Sequence, residues 1–241
     1  MNNWTTSYER APARRRAEGW MFLLEAARDM RTVGALTPSG RALAHALTRP
    51  VRDRAPHPTA VLEAGSGTGA VTRALIPQLP LGSRLDVVEA NRRFAARLRV
   101  LAASHPHLAG RREQVRVHQG YVESFEAGRR YDVIISGLPL TNFPPQHVDR
   151  IMARYMDLLH PGGTLTYFAY IGTRRARALL ASRAEACRHA AVDEVMSDYQ
   201  RRYAVGRWQV WANLPPAYVW QLRRPQDVSA ERGLRQAEAG R

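Results

Sequence analysis

Short apolar runs, each closed by a polar or glycine-rich break and followed by an apolar stripe at helical spacing, recur from Thr59 to Arg223. The first run, Thr59 to Leu62, ends in Glu63 and then in glycines, and Val71 to Leu79 reads as the helix that follows. Arg84 to Glu89 predicts a second strand, and Arg92 to Ala103 a helix that is amphipathic through Phe94, Leu98 and Leu101. Val115 to His118 reads as a short third strand. Tyr131 to Ser136 reads as a fourth, its continuous apolar run suiting a sheet buried on both faces. Pro145 to Leu159 predicts a helix, Pro161-Gly162-Gly163 a turn, Thr164 to Tyr170 a fifth strand and Arg174 to His189 a basic-faced helix. Val205 to Ala212 and Ala217 to Arg223 close the pattern as a hairpin joined at Asn213-Leu214-Pro215-Pro216. Alternating strand and helix predicts an α/β fold: a mainly parallel seven-stranded sheet, helices on both faces and a late antiparallel strand.

Around this unit, residues 59–224, lie three other stretches. Residues 1–13 read as disordered and 225–241 as a polar tail. Residues 14–50 read as an N-terminal helical cap. There Ala17, Trp20, Met21, Leu24 and Ala27 share a face flanked by Arg14, Arg15, Arg16, Arg28 and Arg31. Such a basic amphipathic helix suits a membrane interface or the domain core, and amphipathicity alone does not choose. Thr37 as N-cap with Pro38 at the first helical position starts a further helix to Leu47. Pro50 to Pro58 reads as a linker rich in proline and charge.

Charge sharpens the picture. The net charge is +15, and all 36 basic residues are arginine. A bias towards arginine would exchange it for lysine without raising the net charge, so the excess predicts an anionic partner: membrane surface, nucleic acid or phosphorylated substrate. Cys187 is the single cysteine, which excludes a disulfide framework and a thiolate metal site, and no metal is expected. No apolar run approaches the ~20 residues of a membrane span. The polar, arginine-rich start does not read as a signal peptide, which predicts a cytoplasmic location.

Candidate chemistry centres on Glu63-Ala64-Gly65-Ser66-Gly67-Thr68-Gly69. The glycines let a ligand approach the backbone closely, and the next helix N-terminus offers free N–H groups. Glu89, at the end of the second strand, stands where an acid can hold both ribose hydroxyls. Both a dinucleotide and S-adenosylmethionine want that acid. Glu63, two residues before the first glycine, suits a cationic amino-acid ligand and would repel a pyrophosphate. The stretch closely resembles the Glu-x-Gly-x-Gly-x-Gly first motif of class I S-adenosylmethionine-dependent methyltransferases, which implies their Rossmann-like fold and S-adenosyl-L-methionine as cofactor. The candidate cofactor residues are Glu63, Gly65, Ser66, Gly67, Thr68, Glu89, Ala90, Tyr121, Val122 and Ser136. Methyltransferases often carry an acid after the third strand; here Tyr121 stands in its place, with Glu123 nearby.

A closer resemblance covers about residues 19–224. Gly19 to Leu23, Val33 to Ser39, Ser136-Gly137-Leu138-Pro139-Leu140-Thr141-Asn142-Phe143-Pro144 and Asn213 to Ala217 are similar to the signatures of soluble bacterial phospholipid N-methyltransferases. That resemblance implies methylation of the amine of phosphatidylethanolamine, with the N-terminal helix docking on an anionic membrane and the protein peripheral at the inner membrane. The loop after the fourth strand lies beyond a strand's C-terminal end, where ligands of open parallel sheets bind. Carbonyls at Ser136 and Leu138, with Tyr170 nearby, are the candidate catalytic positions that orient the amine. Asn142, Tyr167 and Arg207 are the candidate substrate residues. The alternatives are a small-molecule enzyme using the same cofactor, for amine methylation or a non-methyl transfer, and a nucleic-acid methyltransferase. The latter is disfavoured because Ser136-Gly137-Leu138-Pro139 carries neither a side-chain amide nor a stacking ring for a flipped base.

Overall fold

The computed structural model describes residues 38–171, 183–213 and 215–226. The stretch 1–37 lies outside them, with the basic amphipathic helix, the signature stretch Gly19 to Leu23 and most of Val33 to Ser39. So do 172–182, Leu214 and nearly all of the polar tail.

Seven strands form one sheet in the order β3-β2-β1-β4-β5-β7-β6. They are β1 Ala60–Ala64, β2 Arg84–Glu89, β3 Val115–Gln119, β4 Tyr131–Ser136, β5 Leu159–Tyr170, β6 Ala204–Val210 and β7 Ala217–Arg223. β1 to β5 pair in parallel; β7 runs antiparallel between β5 and β6. This is the mainly parallel seven-stranded sheet with a late antiparallel strand expected from the pattern, in the Rossmann-like order the resemblance implies. Its chain order reverses between β1 and β4, which opens a crevice beyond their C-terminal ends.

Helices cover both faces. On one face lie α1 (Pro38–Leu47), α2 (Ala70–Leu75) and α3 (Arg92–Ser104), which bury Leu47, Leu75 and Leu98 against Val61, Val133 and Ile135. On the other lie α4 (Pro145–Leu158) and α5 (Arg183–Tyr203), which bury Ile151, Tyr155, Val192 and Met196 against Leu62, Ile134 and Leu165. The two clusters follow from strand periodicity, because neighbouring side chains along β1 and β4 point to opposite faces.

Several boundaries differ from the sequence pattern. The stretch expected as a linker holds a helical turn, Arg49–Arg52, with Pro50 in its first turn and Val51 buried. The expected helix Arg174–His189 is, in its described part, the start of a longer one that runs to Tyr203. Val192, Met196 and Tyr199, spaced by four and three, bind it to the sheet. Its many charged residues hide that stripe in the sequence. β5 begins at Leu159, before the Pro161-Gly162-Gly163 turn, and absorbs those residues as an irregularity in its pairing with β4. No helix among the described residues is long and apolar enough to cross a membrane.

Candidate active site

One row of side chains marks the upper level of the sheet. Val88, Ala64, Ser136, Tyr167, Trp220 and Arg207 stand in register across β2, β1, β4, β5, β7 and β6. Above Ala64 and Ser136 the chain leaves β1 and β4 in two turns that touch. Gly137 N–H donates to the Ala64 carbonyl at 2.8 Å. A Cβ on Gly137 would stand 2.5 Å from the Gly65 carbonyl oxygen, and a Cβ on Gly65 would strike the Leu138 side chain. Gly65, with φ of 73°, also needs the left-handed conformation that glycine alone adopts freely. Glycine is required at both positions by the closeness of the two turns.

Two carboxylates flank this contact, and their surroundings differ. Glu89 ends β2 and is tied from both sides. Its Oε2 accepts the Gly67 N–H at 2.8 Å and its Oε1 the Asn91 N–H at 2.7 Å. Asn91 also N-caps α3 through its side chain. Burial raises the Glu89 pKa, and the backbone N–H groups of Asn91, Gly67 and Ala90 oppose the rise. Each oxygen keeps a second lone-pair direction, so the carboxylate can still accept from a ligand diol.

Glu63 is wholly buried, with 0% exposure. Its Oε2 accepts the Thr72 hydroxyl at 2.7 Å, while its Oε1 has no partner. Ser66 Oγ, in the glycine turn, is also buried without a partner. Burial pushes the Glu63 carboxyl up to about 7 with the help of Glu89, opposed by the hydrogen-bonded Thr72 hydroxyl and by the nearby Ser66 hydroxyl, which does not reach hydrogen-bond geometry. Leaving a buried polar atom unpaired costs about 1–3 kcal/mol. Two such atoms beside a glycine turn match a cationic, hydrogen-bonding ligand. The donor set therefore fits the amino-acid end of S-adenosylmethionine, and Glu89 its ribose. Thr68 is exposed at the turn's tip, its carbonyl held by Arg73 Nη1 at 2.9 Å.

The walls on either side come from loops after β3 and β4. Tyr121 is half-buried at the head of the helical turn Val122–Ser124. Val122 is buried with Ala64, Val88, Leu140 and Phe143, so it forms the floor between the loops. Ala90 is half-buried beside Glu89. In β4, Ser136 turns its hydroxyl into the core, where it accepts from Tyr155 Oη at 2.9 Å and from Leu138 N–H at 3.4 Å. The Leu138 carbonyl accepts Leu140 N–H at 2.9 Å. Asn142 lies in the following turn, its N–H on the Pro139 carbonyl. The loop is held by its own hydrogen bonds, and its prolines fix the backbone further.

The three remaining residues are not gathered there. Tyr167 is 1% exposed, and its hydroxyl accepts Gln200 Nε2 of α5 at 2.8 Å. It is packed as core between sheet and helix. Tyr170 lies three residues on, hence on the opposite face, edge-on to Phe168 at 5.1 Å. The two tyrosines therefore do not form one substrate wall. Arg207 lies on β6, four strand spacings or ~19 Å from β1, stacked over Tyr218 at 4.8 Å and Trp220 at 5.3 Å. Strand periodicity and sheet order separate the three residues expected at one substrate site. Sequence reading also missed Thr72, Gly137, Asn91 and Tyr155. Of these, Asn91 carried a signal: an N-cap residue directly ahead of a helical stripe.

Residues 61–163 match a family model described as a methyltransferase domain. Comparison with curated proteins finds no match. Among solved structures, N-methyltransferase NodS from Bradyrhizobium japonicum is 19% identical, with a TM-score of 0.59 over 80% of this chain and all of its own. The 1,6-didemethyltoxoflavin-N1-methyltransferase of Burkholderia thailandensis was solved with 1,6-didemethyltoxoflavin and S-adenosylhomocysteine. It is 18% identical, with a TM-score of 0.61 over 92% of this chain and 94% of its own. An O-methyltransferase from Bacillus cereus, in complex with S-adenosylhomocysteine, is 15% identical, with a TM-score of 0.56 over 85% of this chain and 91% of its own. At these identities the likeness is one of fold.

Proposed function

We propose that this chain transfers the methyl group of S-adenosylmethionine to an amine nitrogen of a small molecule. The chain is an enzyme of the S-adenosylmethionine-dependent methyltransferase class, and that sulfonium compound is its cofactor. The observation that carries the assignment of site to cofactor is the pair of unpartnered buried atoms, Glu63 Oε1 and Ser66 Oγ, beneath the glycine turn and across from Glu89. Two of the three neighbours above are named as methylating nitrogen, and none as acting on a lipid.

The cofactor supplies an electrophilic methyl on a cationic sulfur. The chain's own residues bind and orient. Glu63 and Ser66 take the amino-acid end, Glu89 the ribose hydroxyls, and Tyr121 with Val122 the base. An ammonium has no lone pair, so the acceptor must react as the free amine. The turn from Ser136 to Pro144, stiffened by its prolines and by the Leu138–Leu140 hydrogen bond, then holds that nitrogen in line.

A second reading is methylation of a phospholipid head-group amine. It is favoured by the turn after β4 and the hairpin turn from Asn213, which resemble the lipid enzymes and lie at the same end of the sheet. Labelled S-adenosylmethionine, offered with amine metabolites, phosphatidylethanolamine vesicles and RNA in turn, separates these. Label in the metabolites supports the first reading and label in the vesicles the second. Label confined to RNA overturns both.

A further inference from the structure

Glu123 and His147 meet across two loops, 24 positions apart in the chain. His147 Nε2 and Glu123 Oε1 are in hydrogen-bond contact. Glu123 lies in the helical turn Val122–Ser124, directly after Tyr121. His147 lies in the first turn of α4, directly after the loop that leaves β4. Phe143, the last buried residue of that loop, stands edge-on to the His147 ring at 5.2 Å. A second tie lies two residues on, where Arg154 Nη2 of α4 donates to the Phe125 carbonyl at 2.6 Å. The segment from Tyr121 to Phe125 is therefore pinned to α4 at two points.

The pinning is electrostatic. Both side chains are largely buried, His147 at 19% exposure and Glu123 at 23%. Burial pushes the Glu123 carboxyl upward. The hydrogen bond from His147, the segment's own backbone N–H, and the charges of His147 and Arg150 more than offset this and hold it below the ordinary range. Arg150 and Arg154 of α4 and the Tyr155 hydroxyl are the other polar groups around it. Tyr155 in turn holds Ser136 Oγ at the end of β4. The Glu123 charge thus acts on the tyrosine that holds the strand end beneath the loop after β4.

We infer that Glu123 and His147 are positioning residues, a latch that joins the wall beside the cofactor's base to the wall beside the acceptor. The inference rests on the cofactor reading above. Breaking the latch loosens Tyr121 and Val122 against α4, with only the Arg154 tie left at Phe125, which weakens the cofactor's hold and leaves the glycine turn as it is.

The test uses the full chain and three variants: His147→Gln, Glu123→Gln and the double variant. S-adenosylhomocysteine affinity is measured by calorimetry, amide hydrogen exchange is followed at residues 121–125, and folding is checked by thermal melting. Each single variant should weaken binding about tenfold and speed exchange at 121–125 by a similar factor, the size of one charge-assisted hydrogen bond. The double variant should be no worse than either single, since both remove one interaction. If one single variant does not fold, the other single variant still reads the latch. Unchanged exchange in a folded variant overturns the latch, as does unchanged affinity or strictly additive loss. A wild-type chain that binds no S-adenosylhomocysteine overturns the cofactor reading, while the exchange comparison still reports on the contact.

Discussion

The two halves of the sheet treat their polar groups in opposite ways. At the β1–β2 end, Glu63 Oε1 and Ser66 Oγ are buried and unpaired, beside two carboxylates raised by burial. At the β5–β7 end, polar groups satisfy one another. Gln200 holds Tyr167 Oη, Gln209 Nε2 donates to Tyr218 Oη at 3.0 Å, and Arg207 stacks on Tyr218 and Trp220. Groups that find partners inside the chain hold the fold. The two left unpaired at the glycine turn, at a cost in stability, are the ones a ligand there can complete, whereas Gln114 Oε1 and Arg154 Nε, also buried and unpaired, lie outside that turn.

This contrast can be broken at graded strength. The largest effect is expected from Gly137→Ala, whose Cβ would press on the Gly65 carbonyl at 2.5 Å and force the two turns apart. Calorimetry should show S-adenosylhomocysteine binding lost by more than about a hundredfold, with a melting loss of about 3 kcal/mol, as backbone strain in a tight turn produces. Next comes pH. The Glu63 carboxyl is raised from 4.5 to about 7, so the folded chain binds more protons than the unfolded one between those values. Stability of the ligand-free chain should therefore fall by about 3 kcal/mol as pH rises through that window. Glu63→Gln should remove most of the slope in denaturant titrations, leaving the smaller share of Glu89. A cationic ligand favours the ionised carboxylate, so affinity should rise with pH over the same range.

Glu89→Gln loses charge-assisted bonds to Gly67 and Asn91 and should weaken cofactor binding by about 2 kcal/mol in the same calorimetry. Tyr167→Phe unpairs Gln200 and should cost about 1 kcal/mol of stability with turnover unchanged; a large loss of turnover would return Tyr167 to the substrate site. Arg207→Ala should cost at most about 1 kcal/mol, from lost stacking, and leave cofactor affinity alone.

Legibility followed the same division. Strand, glycine turn, helix and following acid lie within a few dozen consecutive residues, so Glu63, the glycines and Glu89 could be read together. Their pattern is local because one strand end and the next helix start build the whole feature. In the sequence, Tyr167 and Tyr170 lie near one strand end, and Arg207 offers a fork of donors to a phosphate. Their separation depends on which face each takes and on where β6 joins the sheet, neither of which local spacing encodes. The same holds for α5, whose buried stripe of Val192, Met196 and Tyr199 is diluted by charged neighbours.

From the sequence alone came the strand–helix alternation, the mainly parallel sheet with its closing hairpin, and a carboxylate-flanked turn suited to a cationic nucleoside. These follow from periodicity and from backbone freedom at glycine, which act over a few residues. Only the tertiary structure decided that Gly137 must be glycine, that Tyr167 is core, and that Glu123 meets His147. Those facts arise where loops from separate strands come together, and contact between distant segments is set by sheet order and packing.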